Sequence, residues 1–257
     1  MFSDTGVTMG RRIWIGVVLW FWVVCLAQAS EGVHWSYVGE TGPEHWGSLA
    51  EPWALCGDGT RQSPIDVGAA LPARLPPLEF DYRSWAETVV NNGHTIRFDV
   101  APGSTLHAGV NRYRLVQFHF HTPSEHLRWG MPAPAELHLV HRADDGTLAV
   151  VAVWLVPGRW SGSTFSSLWG ALPTLEHQRY PVRALRIDPE DLLPARRDYV
   201  YYRGSLTTPP CTEGVEWFVL TEPVEVPPGL LHRLGRIMGA NARPVQPLNG
   251  RTPLRSR

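Results

Sequence analysis

The segment from Gln117 to His141 constrains the fold of this chain more than any other stretch of its sequence. His119 and His121 are two residues apart. Side chains in a β-strand repeat every second residue, so these two histidines point to one face, and the phenylalanines at the alternate positions point to the other. A second strand, after a loop that contains proline and glycine, carries His138. Two neighbouring strands would therefore bring three histidines to one point.

Three histidines that converge in this way predict a catalytic Zn²⁺ site. Structural zinc is closed by four protein ligands, whereas catalytic zinc has three and leaves the fourth position to water. Gln117 precedes His119 by two residues, and Glu136 precedes His138 by two. Metal-bound histidines usually donate their second N–H group to oxygens of this kind. Without a metal, the same histidines would be ordinary polar residues of a strand, and the two oxygen-bearing partners favour the metal site.

Length, composition and charge exclude several classes of function. The 257 residues suffice for one large domain or two small ones, and the hydrophobic content of 44% is ordinary for a globular protein. A net charge of −1 gives no reason to expect nucleic acid or an anionic membrane surface as a partner. All 23 basic residues are arginine, which excludes lysine nucleophiles and Schiff-base chemistry.

The first 29 residues have the composition of a secretory signal peptide. Arg11 and Arg12 precede an apolar run from Ile13 to Leu26, and the small residues Ala27 and Ala29 flank Gln28 at the expected cleavage site. We therefore predict a signal peptide over residues 1–29 and a mature domain over residues 30–257, located in the periplasm or secreted. An apolar run of about 14 residues is shorter than the ~20 that a membrane-spanning helix needs, but an uncleaved anchor is the alternative.

The cysteines agree with export. Cys25 would leave with the signal peptide, so the mature chain retains Cys56 and Cys211. An even number of cysteines in an exported chain favours a disulfide, and two buried thiols are the alternative.

Strand patterns dominate the remainder of the chain. Apolar and polar residues alternate over Thr95–Val100, and the near-continuous apolar run Leu148–Leu155 is typical of a central strand that is buried on both faces. Short helices are predicted over residues 161–175 and 230–238, and no βαβ alternation is visible. The fold class is therefore mixed α/β but dominated by strands: a single domain on a large, mainly antiparallel sheet.

Several motifs along the mature chain match one family, in the order in which that family has them. They are Gly42–Trp46, Arg61–Asp66, Asn91–His94, Gln117–His121, Ala135–His141, Gly204–Pro210 and Arg243–Leu248. Together they resemble the exported, bacterial type of α-class carbonic anhydrases over about residues 34–248. The resemblance implies a twisted sheet of about ten mostly antiparallel strands with short peripheral helices. It also implies zinc-dependent, reversible hydration of carbon dioxide to bicarbonate and a proton, by attack of zinc hydroxide.

The resemblance assigns the catalytic roles residue by residue. It makes His119, His121 and His138 the zinc ligands. Thr207 would accept a hydrogen bond from zinc hydroxide and donate its own proton to the carboxylate of Glu125, which can only accept. This arrangement orients the nucleophile towards the substrate carbon.

The same resemblance implies a path for the proton and a pocket for the substrate. His94 would be the proton shuttle, because an exposed imidazole gains and loses a proton near neutral pH, and Tyr37 and Asn92 would order the intervening water. Thr208 would line the bicarbonate site. The apolar wall around carbon dioxide would consist of Val140, Val150, Leu206, Val215 and Trp217. The partners are small molecules, and the oligomeric state stays open between monomer and homodimer.

Two alternatives compete with this interpretation. The spacing of His119, His121 and Glu125 also fits the first metal motif of cupins, in which Glu125 would itself bind the metal. The position of Glu125 separates the two hypotheses, since a cupin has it on the metal and a carbonic anhydrase has it near Thr207. A binding module of carbonic anhydrase descent is the second alternative, but such proteins lose a zinc histidine and this chain has all three.

Overall fold

The computed structural model describes Met1, residues 32–159 and residues 163–257. Apart from Met1, the predicted signal peptide lies outside the described residues. Among the described residues, no helix combines the length and the apolar character needed to cross a membrane.

Strands of the described residues form one 13-stranded sheet. Their bounds are β1 (Leu71–Ala73), β2 (Leu78–Asp81), β3 (Ala86–Asn91), β4 (Ile96–Val100), β5 (Thr105–Ala108), β6 (Asn111–His121), β7 (Ala135–Arg142), β8 (Leu148–Pro157), β9 (Arg179–Pro181), β10 (Tyr199–Ser205), β11 (Glu213–Leu220), β12 (Val224–Val226) and β13 (Leu254–Ser256). The main path runs β1-β13-β10-β11-β8-β7-β6-β4-β3-β9. Beside this path, β12 pairs with β8, and β5 pairs with both β2 and β6.

The sheet is mainly antiparallel, which confirms the predicted fold class. Three of its pairs, β1–β13, β8–β11 and β8–β12, are parallel. The central strands β6, β7 and β8 pair antiparallel along most of their length. The prediction of about ten strands matches the main path, and the short strands β2, β5 and β12 pair alongside it.

The helices are short, as predicted, and those of residues 46–58 are single turns. Their bounds are α1 (Trp46–Leu49), α2 (Leu55–Asp58), α3 (Ser163–Ala171) and α4 (Pro228–Met238). Proline lies in the first turn of α4, where a backbone N–H would have no hydrogen-bond acceptor within the helix. Gly239 ends that helix with a φ of 68°, a conformation that favours glycine. Leu230 and Leu234 of α4 pack into the large core cluster beside residues of the sheet.

Alternation along the central strands divides the core between the two faces of the sheet. In β8, Val151 and Val153 belong to the larger cluster, whereas Val150 and Trp154 belong to a second cluster on the opposite face. This strand is buried on both sides, as its apolar run predicted. Burying each such side chain stabilises the fold by about 1.5–3 kcal/mol.

A β-bulge in β6 determines which face the histidines occupy. Leu115 pairs with His141 and Gln117 with Val140, so Val116 is the extra residue. Before the bulge, Leu115 faces the larger core cluster, and after it Phe118 does so. Gln117 and the odd-numbered residues that follow therefore face the opposite side, towards the second cluster.

The predicted disulfide is present in the structure. Cys56 and Cys211 are bonded across 155 residues, with their Cα atoms 5.0 Å apart. Both are buried in a third cluster with Trp46 and Trp53. The N-terminal segment is thus attached to the loop that follows β10.

Candidate active site

The three predicted histidines meet at one point. His119 lies opposite His138 in the register of β6 and β7, and His121 is one pleat further along the same face. Each offers a ring nitrogen, and these three nitrogens all lie within 4.8 Å of one another. His121 and His138 are each 1% exposed, and His119 is half-buried. A cation could therefore be reached by all three from one side.

Local partners set the orientation of two of these rings. The Nδ1 of His119 lies 2.9 Å from Oε1 of Gln117, and Nε2 of His138 lies 2.8 Å from Oε1 of Glu136. Both oxygens accept, so each of these ring nitrogens donates its N–H. The other nitrogens, Nε2 of His119 and Nδ1 of His138, are therefore left with lone pairs that are free to bind a cation.

The third ring is held by Asn241, a residue that the sequence analysis did not assign. The backbone carbonyl of Asn241 accepts a hydrogen bond from Nδ1 of His121 at 2.8 Å, across 120 residues of the chain. Asn241 is fully buried. The available signal was its position two residues before Arg243, at the start of the Arg243–Leu248 motif.

Burial favours the neutral form of His119 and of His121. It lowers the pKa of His119 well below its ordinary value, and the neighbouring His121 and His138 lower it further. Burial also lowers the pKa of His121, against the opposing charge of Glu125. The Nε2 atom of His121 is buried and has no hydrogen-bond partner among the described residues. A buried nitrogen without a partner is a candidate metal ligand, and a set of three imidazoles fits catalytic zinc.

A second cluster of possible ligands, His126 with Glu136 and His138, is instead a hydrogen-bonded network. His126 uses Nδ1 towards Oε1 of Glu136 at 2.6 Å and Nε2 towards the hydroxyl of Tyr202 at 2.7 Å. Its backbone N–H donates to the other oxygen of Glu136 at 2.9 Å. Burial raises the pKa of Glu136, but the two histidines outweigh it and hold that pKa well below its usual range. The network thus keeps Glu136 ionised as the acceptor for His138.

Glu125 lies beside the histidine cluster. Its Oε1 accepts a hydrogen bond from the backbone N–H of Arg243 at 3.0 Å. Its Oε2 is 3.4 Å from Nε2 of His121 and 3.9 Å from Nδ1 of His138, and it has no hydrogen-bond partner among the described residues. Thr207 is buried. The hydrogen bond from the hydroxyl of Thr207 to Glu125 therefore stays a prediction, for which Oε2 is the acceptor.

The loop that carries Thr207 and Thr208 is fixed at both ends. At its start, the indole N–H of Trp217 donates to the carbonyl of Ser205 at 3.0 Å. At its end, the N–H of Cys211 donates to the carbonyl of Thr208 at 2.9 Å, and Cys211 is held by the disulfide. The threonine pair consequently sits on a rigid support.

The five predicted wall residues lie together. The buried Val140, Val150, Val215 and Trp217 belong to one cluster, with the half-buried Leu206 packed against it. The ring of Trp217 lies 4.9 Å from that of His138, almost perpendicular to it. An apolar surface therefore adjoins the histidine centre on the same face of the sheet.

His94 follows the turn after β3 and stacks on an aromatic residue. Its ring is parallel to that of Trp35, with centroids 3.6 Å apart. Tyr37 packs edge-on against Trp35 at 5.4 Å. Burial lowers the pKa of His94, and His34 and His177 lower it further. The sequence analysis found His94 and Tyr37 but missed Trp35, which joins them.

Asn92 shapes the turn that presents His94. Its Oδ1 accepts hydrogen bonds from the backbone N–H groups of His94 at 3.0 Å and Thr95 at 2.8 Å. Asn side chains commonly form turns of this kind. The predicted role of Asn92 in ordering water is a separate function of the same side chain, and it stays a prediction.

Fold and site together define a class of protein: a mainly antiparallel β-sheet with three histidines that could hold a metal ion beside an apolar wall. The family model of eukaryotic-type carbonic anhydrases matches residues 41–257. The chain therefore belongs to this family of metalloenzymes, the α-class carbonic anhydrases. It is an enzyme of the carbonic anhydrase class with a small-molecule substrate, and the cupin alternative is excluded.

Individual relatives agree with this assignment. A carbonic anhydrase of Pectobacterium carotovorum is 39% identical over 92% of this chain and 97% of its own. Among solved structures, the α-carbonic anhydrase of Photobacterium profundum is 44% identical, with a TM-score of 0.81 over 86% of this chain and 100% of its own. That of Thermovibrio ammonificans, solved with the inhibitor sulfanilamide, is 44% identical, with a TM-score of 0.83 over 87% of this chain and 99% of its own.

Proposed function

We propose that the chain catalyses the zinc-dependent, reversible hydration of carbon dioxide to bicarbonate and a proton. The observation that carries the proposal is the convergence of three buried or half-buried imidazole nitrogens, with the second nitrogen of each ring bonded to an oxygen. His119, His121 and His138 would hold Zn²⁺. Zinc bound there supplies a nucleophile at neutral pH, since carbonic anhydrases are the type case in which it lowers the pKa of water from about 15.7 to about 7.

Thr207 and Glu125 orient the reacting water. Glu125 accepts from the backbone of Arg243 with one oxygen and has its other oxygen buried beside the ligand histidines. A threonine hydroxyl that donates to this carboxylate has only its lone pairs left for the reacting water. A hydroxide formed from that water would direct its one hydrogen at Thr207 and leave a lone pair of its oxygen free for the substrate carbon.

The apolar wall receives carbon dioxide. The substrate has no net charge or dipole, so a surface of valine, leucine and tryptophan side chains binds it without desolvating a polar partner. Thr208, which adjoins Thr207 on the same anchored loop, would contact the more polar bicarbonate.

His94 carries the proton away. Its ring is half-buried on Trp35, at a turn whose backbone is attached to the metal-ligand region through Asn241. The lowered pKa of His94 favours rapid release of a proton once it has been accepted. Tyr37 and Asn92 line the region from which ordered water would reach the ring.

The protein is proposed to be exported, with a signal peptide over residues 1–29 and a mature domain over residues 30–257. The bonded pair Cys56 and Cys211 supports an oxidising location such as the periplasm or the exterior of the cell. Determination of the mature N-terminus after expression in a bacterial host tests the cleavage site. Light scattering of the mature protein decides between monomer and homodimer.

Metal analysis and a hydration assay test the proposed function directly. The purified mature protein should contain one zinc ion per chain and should acidify a weak buffer when carbon dioxide is added. A sulfonamide, of the kind bound to the Thermovibrio enzyme, should stop the reaction. His119→Ala should lose both zinc and activity, whereas the exposed His232→Gln should keep both. Equal behaviour of the unmodified enzyme and His119→Ala would refute the site.

A further inference from the structure

A second histidine lies beside the turn that presents His94. The N–H of His177 donates to the backbone carbonyl of Asn91 at 2.7 Å, and Glu176 forms a β-bridge with the same residue. A β-carbon added at Gly93 would lie 3.5 Å from Cε1 and 3.7 Å from Nε2 of the His177 ring. The segment that carries His177 is therefore attached to the turn, and its imidazole packs on the residue directly before His94.

The exposure of this histidine suits transfer to solvent. The side chain of His177 is 76% exposed and that of Glu176 is 60% exposed, with Nε2 and Oε2 4.0 Å apart. His94 itself is only half-buried and stacks on Trp35. A second, more exposed imidazole with a carboxylate beside it therefore adjoins the turn of His94.

We propose that His177, supported by Glu176, is a second proton-transfer group that accepts the proton from His94 and releases it to solvent. In this step an N–H bond of His94 breaks and an N–H bond of His177 forms, directly or through water. His177 then returns its proton to a buffer base, so no oxidant or reductant is needed. The proposal rests on the proposed function, and specifically on His94 as the shuttle.

Electrostatics around His94 give the transfer a direction. The titratable groups that act on it are His34, His177 and Glu176. The two histidines disfavour a second positive charge nearby and the glutamate favours one, with burial as the larger effect on His94. The ring of His177 is the more exposed of the two, so a transfer from His94 to His177 carries the proton towards solvent.

The backbone conformation at His177 determines which substitution removes the imidazole without disturbing the turn. Its φ is 59°, in the left-handed region, which asparagine tolerates much better than alanine or branched residues. His177→Asn therefore removes the imidazole while keeping the turn. His232→Gln on α4 removes another exposed histidine and serves as the matched control. Glu176→Gln tests the carboxylate.

The experiment measures carbon dioxide hydration in weak and in strong buffer. Proton release limits turnover only when buffer is scarce, so His177→Asn should lower kcat in weak buffer and leave kcat/KM unchanged. The loss should be about threefold, well below the 10²–10⁴-fold that positioned acid–base groups contribute, because His94 remains in place. Added imidazole should restore the rate. Glu176→Gln should show a smaller loss of the same kind, and His232→Gln should show none.

Combination with His94→Ala tests the order of the two groups. If His177 receives its proton from His94, its removal should have no further effect once His94 is gone. An unchanged kcat of His177→Asn in weak buffer, or an equal loss with and without His94, would overturn the proposal. Failure of the proposed function itself has a different signature, because the unmodified enzyme would then be inactive at every buffer concentration, and both proposals would fall.

Discussion

The backbone carbonyl of Asn241 accepts a hydrogen bond from Nδ1 of His121 at 2.8 Å, and the two residues are 120 positions apart in the chain. The side-chain amide of the same residue donates to the backbone carbonyl of His94 at 2.9 Å, and its Oδ1 accepts from the N–H of Thr122 at 2.7 Å. One buried asparagine therefore connects a proposed metal ligand to the turn of the proposed proton shuttle.

Asn241→Ala should separate these two roles. The variant keeps the backbone carbonyl, so zinc should be retained, but it leaves buried backbone groups unpaired at a cost of about 1–3 kcal/mol. We expect lower stability and a loss of kcat that is larger in weak buffer than in strong buffer, because the turn of His94 loses its support. Metal content, unfolding by urea and buffer-dependent kcat check this, with the exposed Asn111→Ala as control. A variant that lost its zinc would contradict the separation.

Thr207→Val and Glu125→Gln should each lower kcat/KM about 10²-fold, the size of effect expected when a reacting group is misplaced by about 1 Å. Valine is nearly isosteric with threonine but lacks the hydroxyl, and both variants should keep zinc. Because the two residues are predicted to act as a unit, the double variant should be little worse than either single one. Strictly additive losses would show that they act independently. Thr212→Val, at an exposed position nearby, is the matched control.

Replacing both Cys56 and Cys211 by serine should lower the free energy of unfolding by about 4–5 kcal/mol on the chain-entropy account, because the bond spans 155 residues. Urea unfolding of the double variant and of the unmodified protein measures the difference. A thiol reductant should bring the unmodified protein to the stability of the variant and should leave the variant unchanged. Equal stabilities without reductant would mean that the bond contributes nothing.

Acid should destabilise the fold through His141. This residue is fully buried against the hydroxyl of Tyr82, with Nε2 2.6 Å from that oxygen. Burial lowers its pKa to about 3, whereas the unfolded chain has the ordinary value of about 6.5. Between these values the unfolded state binds a proton that the folded state does not. Stability is therefore full above pH ~6.5 and falls as the pH is lowered towards 3, by up to about 1.4 kcal/mol per pH unit.

His141→Gln removes this titration and should flatten the decline of unfolding free energy between pH ~6.5 and ~4, although it lowers stability at neutral pH through lost packing. Denaturant unfolding at a series of pH values measures the slope. The exposed His45→Gln should leave the slope as it is in the unmodified protein. A variant with the original slope would show that other groups cause the acid sensitivity.

Local periodicity explains what could be predicted from the sequence. Partners two residues apart on a strand share a face whatever the rest of the fold does, so the pairs Gln117–His119 and Glu136–His138 follow from spacing alone. The buried apolar run of β8 likewise identified a central strand. The family motifs extended these local patterns to Thr207, Glu125 and His94, which no periodicity would have singled out.

By itself, then, the sequence determined the strand-rich fold class and the three histidines with their neighbours, because alternation and motif spacing act over a few residues. Tertiary structure alone decided the placement of Asn241 on His121, of Trp35 on His94 and of His177 on the turn at Gly93. These contacts join segments far apart in sequence, and they depend on sheet register, on the bulge in β6 and on loop packing. None of those features produces a periodic pattern in the amino-acid sequence.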